Sequence, residues 1–264
     1  MWKELRFAWY AIKKNFQSSA ELRTSFLMNV VGMMINNTSF ILLWVFFVQA
    51  VGTIGGWTAA DVVLLQAFTS LAYGVVSSMA YGLRKLPEYV TSGVFDGFML
   101  SPKSLLLRTA TSAFSTSGIG DILFALICFV AYGVMIHVTA LQVGLIVVLS
   151  ILSVIIFAAT AVAIYSLSFF FMDAMTATNS VFELFMTPTL FHGGAFQGAL
   201  RFIFTFIIPS LLIGAIPVEA VREVSMVALL LMTVLAVIWS LLSYFIFHRA
   251  VRSYESSNLM TFGG

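Results

Sequence analysis

The chain of 264 residues is 61% hydrophobic and 9% charged, with a net charge of +2 and a mean hydropathy of +1.03. An ordinary soluble domain carries about 25% charged residues, so a water-covered fold is excluded. The apolar segments run to about 20 residues or more, which selects spanning helices over the roughly 10-residue alternating strands of a membrane barrel.

The expected fold class is an all-α polytopic membrane protein. It forms one transmembrane domain over 1–264 with six transmembrane helices, and the spans leave no room for a soluble catalytic domain. Residues 2–17 read as an amphipathic interfacial helix. Trp2, Leu5, Trp9, Ile12 and Phe16 recur at three- and four-residue spacing on one face. Lys3 and Lys14 lie off that face, and Arg6 and Lys13 can snorkel from its edge. The charges spread through these residues give no sign of a cleavable signal peptide.

The first span is expected over 25–51, with Asn36 and Asn37 near its middle. Buried amides there either join helices or line a pathway. GTIGGWT, residues 52–58, is a glycine-rich turn. Thr58 followed by Asp61 resembles a capping box, so a second span should start here and continue to about Leu83. A polar island follows over 84–108, with Arg84, Lys85, Glu88, Asp96, Lys103, Arg108, Pro87 and Pro102. The third span is placed within 118–137, as the extension of a helix starting near Leu105, with Asp121 near its inner end at the interface. The fourth covers much of 141–171 and the last runs over 224–247.

Residues 172–218 admit two readings. In one, 174–198 lies on the cytoplasmic face and 202–216 is a short fifth span. In the other, 174–190 is a fifth span of low hydrophobicity carrying Asn179 and Glu183, and 195–218 dips into the outer leaflet and returns. Pro188, Pro209, Pro217 and the Gly193–Gly194 pair break this region into short pieces. Such pieces are tolerated at membrane depth only under a cover of protein or beside water. Glu183 is a functional candidate in a span and an ordinary surface residue otherwise.

Basic residues set the orientation. Eleven of the thirteen Lys and Arg residues precede span one, lie in the island or follow span six. Both termini and the island are therefore expected on the cytoplasmic side of the cell membrane.

Several chemistries are missing from the pattern. There is no GxxxxGK[ST] phosphate loop and no GxSxG nucleophile motif. His137, His192 and His248 are far apart, and one cysteine, Cys128, provides neither a metal cluster nor an intrachain disulfide. No catalytic residue, metal, cofactor or nucleic-acid partner is expected of this chain.

Three stretches carry a resemblance: SGVFDGFMLSPKSLLL at 92–107, SGIGDILFAL at 117–126 and FHGGAFQGALRFIFTFIIPSLLIGAIPVEAV at 191–221. In order and spacing they resemble the six-span permease subunits of type-two (ABC-2-type) ATP-binding-cassette exporters, over almost the whole chain. At 191–194 the chain departs, with Phe-His-Gly-Gly where relatives often have Tyr-Pro. The resemblance implies an interfacial elbow helix at 2–17 and a cytoplasmic coupling helix between spans two and three. It implies a re-entrant hairpin at 195–218 before span six, with Gly193, Gly194, Pro209 and Pro217 at the outer gate. It implies separate ATPase subunits that hold ATP and magnesium. A second permease chain is implied too, a related but different protein or another copy of this one.

The island's residues suit a coupling role. Gly93 permits a sharp turn, Asp96 can cap a short helix, and Pro102 ends it. Phe95, Phe98, Met99 and Leu100 form an apolar knob that either docks on a partner or dips into the interface. Substrate contacts are expected at Asn36, Asn37, Asn179 and Glu183, and the apolar lining suggests an amphipathic or drug-like substrate. Two rival readings are an ion-coupled secondary transporter using Glu183 and Asp121, and a non-transporting membrane scaffold. The first lacks a clear three-span internal repeat.

Overall fold

The computed structural model describes residues 2–53, 55–171 and 173–254, and every regular element among them is helical. Among the described residues, five helices are long and apolar enough to cross a membrane. They are α2 (Arg23–Val51), α3 (Ala59–Met79), α7 (Ser117–Ile136), α8 (Ala140–Tyr165, continued by a tight turn through Phe169) and α12 (Met226–Val251). The remaining crossing, left open between 174–190 and 202–216, has no such helix among the described residues: the apolar helix of the second stretch runs only Gly198–Ile207, and α9 (Ala174–Thr189) in the first is 16 residues long. At about 1.5 Å per residue it reaches roughly 24 Å, short of a typical 30 Å hydrocarbon layer.

The central helix is α3, buried along most of its length. Its start is set by the capping box: the Thr58 N–H donates to Asp61 Oδ2 at 2.7 Å and the Asp61 N–H to Thr58 Oγ1 at 3.4 Å. Helices in lipid gain little from apolar burial against one another, so close backbone approach through small residues has to hold them. Here Gly74 of α3 meets Gly118 of α7. A Cβ on Gly74 would lie 2.7 Å from the Gly118 carbonyl and 2.9 Å from the Ile122 nitrogen. Gly120, two residues on, receives α2: a Cβ there would lie 2.5 Å from the Val30 carbonyl. The SGIGD stretch is therefore a two-sided packing surface, with Gly118 toward α3 and Gly120 toward α2.

The helix expected to run from Leu105 into the third span is two helices, α6 (Leu105–Ala110) and α7, with a break at 111–116. The Thr111 and Ser112 hydroxyls donate to the carbonyls of Leu107 and Thr109, the Ser115 N–H donates to Ser77 O at 3.1 Å, and Gly82 lets the chain approach Thr109 closely. Likewise α3 ends at Met79, four residues before the expected Leu83, and a short turn follows.

α1 (Trp2–Glu21) lies beside the bundle, strapped to the α6 region. Asn15 Nδ2 donates to Thr111 O at 2.9 Å, and the Ser104 N–H donates to Glu4 Oε2 at 3.0 Å. Trp2, Leu5 and Trp9 on its apolar face stay more than half exposed, which suits a helix lying in a headgroup layer.

Beyond α9, α10 (Gly198–Phe202) widens into a π turn through Ile207, and the chain reverses and leaves as α11 (Ala215–Glu223). Both feet of this hairpin sit together, joined by Arg201 Nη2 to Glu219 Oε2 at 2.6 Å. Its tip reaches the middle of the bundle. Leu211, Leu212 and Ile213 are fully buried, Ser210 donates to Phe185 O at 2.7 Å, and Ser153 of α8 donates to Leu212 O at 3.4 Å. Irregular backbone so deep is stable because protein covers it and these bonds satisfy it.

Candidate functional site

Two regions stand out, one at the island end of the bundle and one inside it.

At the island end, α4 (Leu86–Thr91) is followed by α5 (Val94–Met99). Gly93 is the N-cap of α5 and takes the left-handed conformation, φ +76°, which glycine adopts without the Cβ penalty. Asp96 is the third residue of the helix, an acid in its first turn, where it suits the helix dipole. Leu100 closes the helix and Pro102 follows in the turn to α6.

The apolar knob divides in two. Phe95 is fully buried and roots the helix, with ring contacts of 5.0 Å to Phe169 and 5.1 Å to Tyr254. Phe98 is half-buried, edge-on to Tyr89 at 5.3 Å and covered by the Arg108 guanidinium. Met99 is 48% and Leu100 89% exposed, and Val94 shares this outward side. The exposed tip is therefore Val94, Met99 and Leu100, a group that includes one residue missed in the sequence and omits the two phenylalanines. Tyr254, after α12, packs on the same root. Burial, and the Asp96 carboxylate facing it, push its phenol up to about 12. The root thus packs α5 on the end of α8 at Phe169, which in turn meets Phe247 of α12 and Tyr254.

The second region is a cavity of about 380 Å³ between α2, α3, α7 and α9. Three of the four expected pathway residues line it: Asn36, Asn37 and Glu183. Asn179 does not; it is exposed elsewhere on α9. The cavity also contains groups the sequence reading passed over. Gln66, Thr69, Ser70 and Tyr73 form a polar stripe on α3 at helical spacing, which was a usable signal. Arg84 closes one end, donating to Tyr73 Oη at 3.0 Å with its guanidinium over the Phe182 ring.

Asp121, expected near the inner interface, is turned into the protein rather than toward water. It is 2% exposed, inside the bundle, and its Oδ1 accepts from Asn37 Nδ2 at 2.7 Å, so it ties α7 to α2. Asn37 is accordingly a helix-joining amide as well as a cavity wall, while Asn36 is exposed at the mouth.

At the far end of the bundle from the island, Arg222 Nε lies 3.4 Å from Asp61 Oδ1 and its Nη2 donates to Gly56 O, so α11 clamps the start of α3. Gly193 sits against the Arg201–Glu219 pair, with its carbonyl accepting from Arg201 Nη1 at 3.3 Å. Gly194 lies against the His192 ring. Pro209 lies at the buried hairpin turn and Pro217 in the first turn of α11, also buried. The Phe191-His192 departure has a packing reason. Phe191 meets Trp44 at 5.8 Å and His192 meets Trp57 at 5.9 Å, so two tryptophans hold this loop. Burial lowers the His192 pKa from the usual 6.5, opposed by the Glu219 charge.

No match is found among curated proteins or solved structures. A family model described as "ABC-2 family transporter protein" matches residues 33–258, spanning α3 through α12, the island and the hairpin. With its apolar helices and without a phosphate-loop motif of its own, this multi-pass chain belongs to the ABC-2 family of transporter proteins, as a membrane permease.

Proposed function

We propose that the chain is one permease half of an exporter in the cell membrane, driven by ATP hydrolysis on separate cytoplasmic ATPase subunits and completed by a second permease chain, a related protein or another copy. In this reading α9 is the sixth crossing and the 195–218 hairpin is re-entrant from the outer side. Asn36, Asn37 and Glu183 flank the substrate path, with Asn179 on the face toward the second permease. The observation that carries the reading is the island. A six-residue helix, rooted by one buried phenylalanine, presents an exposed apolar tip where the two central helices end. Such a tip on a polar loop suits a groove on a partner.

The orientation has support in charge. α1, the island and the residues after α12 gather at one end through the Asn15–Thr111 and Phe95–Tyr254 contacts. The other two arginines, Arg201 and Arg222, pair with acids at the opposite end. This asymmetry favours the island end as cytoplasmic. Closure of the ATPase pair would push α5. The push spreads through the Phe95 root into α8 and α12 and through the chain into α3 and α7, and the bundle switches between two packings.

Gly93→Leu tests the linkage. A side chain at φ +76° is strained by about 1–2 kcal/mol, and the turn that aims α5 has to change. The variant is expected to reach the membrane and keep its ATPase, yet to lose most substrate-stimulated ATP hydrolysis. Unchanged stimulation in the purified complex would remove α5 from the coupling path.

A further inference from the structure

The cavity between α2, α3, α7 and α9 contains two polar atoms that the fold leaves unanswered. Asp121 Oδ2 and Gln66 Nε2 are both buried without a hydrogen-bond partner among the described residues, on side chains 2% and 5% exposed. One is an acceptor on a carboxylate, the other a donor. Buried polar groups are almost always paired, and a carboxylate at membrane depth requires a positive or donating partner. The protein supplies Asp121 with a neutral amide only, from Asn37, and that bond uses the other oxygen. Glu183 adds a second carboxylate at the exposed mouth. The one cation on the wall among the described residues, Arg84, is engaged at the far end with Tyr73 and Phe182. Besides Asn36 and the polar stripe of α3, the wall is made of methionines, phenylalanines and a leucine that adapt to varied shapes. Its volume of about 380 Å³ is that of a small-molecule site.

We infer that this cavity binds an amphipathic molecule bearing a protonated amine, with Asp121 and Glu183 as counter-ions and Gln66 donating to a carbonyl, ether or hydroxyl oxygen of the same molecule. The inference rests on the proposed permease reading and specifies its substrate class. The amine enters past Glu183, sheds water and donates to Asp121 Oδ2, while its apolar body lies against the Met and Phe side chains. A neutral analogue leaves the Asp121 oxygen unanswered, and an anionic one meets two carboxylates.

The test uses the full chain, purified with whatever subunits accompany it, in nanodiscs of neutral phosphatidylcholine. The probes are dansylcadaverine, a fluorescent primary amine, and its N-acetyl derivative, which has the same fluorophore and no charge. Saturable, blue-shifted binding of the amine is expected, with the acetylated probe at least about tenfold weaker. Asp121→Asn with Glu183→Gln together should weaken the amine by a similar factor, while Thr233→Ala, on α12 and outside the cavity, leaves it unchanged. Glu183 is exposed, so Glu183→Gln alone cannot unfold the bundle; it should weaken the amine about threefold and serves if the double variant misfolds. Equal binding of both probes, no saturable binding, or a folded double variant that binds like the parent overturns the inference. Failure of the probe with an ATPase still bound to the chain removes the amine and leaves the permease reading. Binding of the probe by a chain without any ATPase does the reverse.

Discussion

A chain carrying Met99→Glu and Leu100→Glu is expected to reach the membrane folded and to arrive without its ATPase. Leu100 is 89% and Met99 48% exposed, so neither holds the island together, whereas the fully buried Phe95 does. Two carboxylates at the tip remove the apolar contact and would place unpaired charges in any groove that receives it. Anchor residues of this kind contribute about 2 kcal/mol or more each when truncated, so the pair should lower ATPase affinity by a factor of roughly 1,000. The measurement is the ratio of ATPase to permease after mild extraction. Undiminished recovery would mean that the tip faces lipid headgroups and that docking happens elsewhere. Phe95→Ala is the contrasting change. Loss of a buried aromatic costs about 3–5 kcal/mol, and it should make the island sensitive to protease before it affects docking chemistry.

The second large effect is expected at Gly118→Val. A Cβ there would lie 2.5 Å from Ser78 Oγ, 2.7 Å from the Gly74 carbonyl and 3.0 Å from the Ser78 nitrogen. Two of these are backbone atoms of the central helix and cannot move aside alone. The α3–α7 contact must open, and with it the Asp121–Asn37 bond and the Gly120–Val30 contact, both within one turn. Overpacking of this kind costs about 1–3 kcal/mol for extra methylenes in a packed core, and a clash against backbone sits at or above the upper end. Steady-state membrane abundance should fall severalfold, and heat-induced aggregation in detergent should start at lower temperature. Gly144→Val on α8, with open space around it, is the matched control and should stay within about 0.5 kcal/mol. Equal behaviour of the two variants would contradict the close packing of α3 on α7.

The elements legible in the sequence are those whose signal is local. Long apolar runs placed α2, α3, α7, α8 and α12, and the Thr58–Asp61 pair marked where α3 begins. α9 left two readings open because its 16 residues carry threonines, Asn179 and Glu183. What positions it is tertiary: Thr69 donates to its last carbonyl, and Ser210 from the hairpin tip to Phe185 O. The break before α7 was hidden for a similar reason, since the bonds that interrupt the helix involve Ser77 and a close approach by Gly82, distant in sequence. Six residues are too few for periodicity to assign faces, so Phe95 and Leu100 read alike although one is the root and the other the tip. Asp121 looked interfacial because it lies four residues into its helix. Its burial in protein comes from the tight fit of Gly118 and Gly120, which brings it against Asn37 of α2.

The central claim is that this chain works as a permease beside a separate ATPase, and the composition of the native complex tests it most directly. The tagged chain would be extracted from its host in mild detergent and every co-purifying protein identified and counted. The account predicts a soluble ATPase in amounts comparable to the permease, together with a second six-span chain or a second copy of this one. A homogeneous, well-recovered chain with no ATPase attached would contradict it.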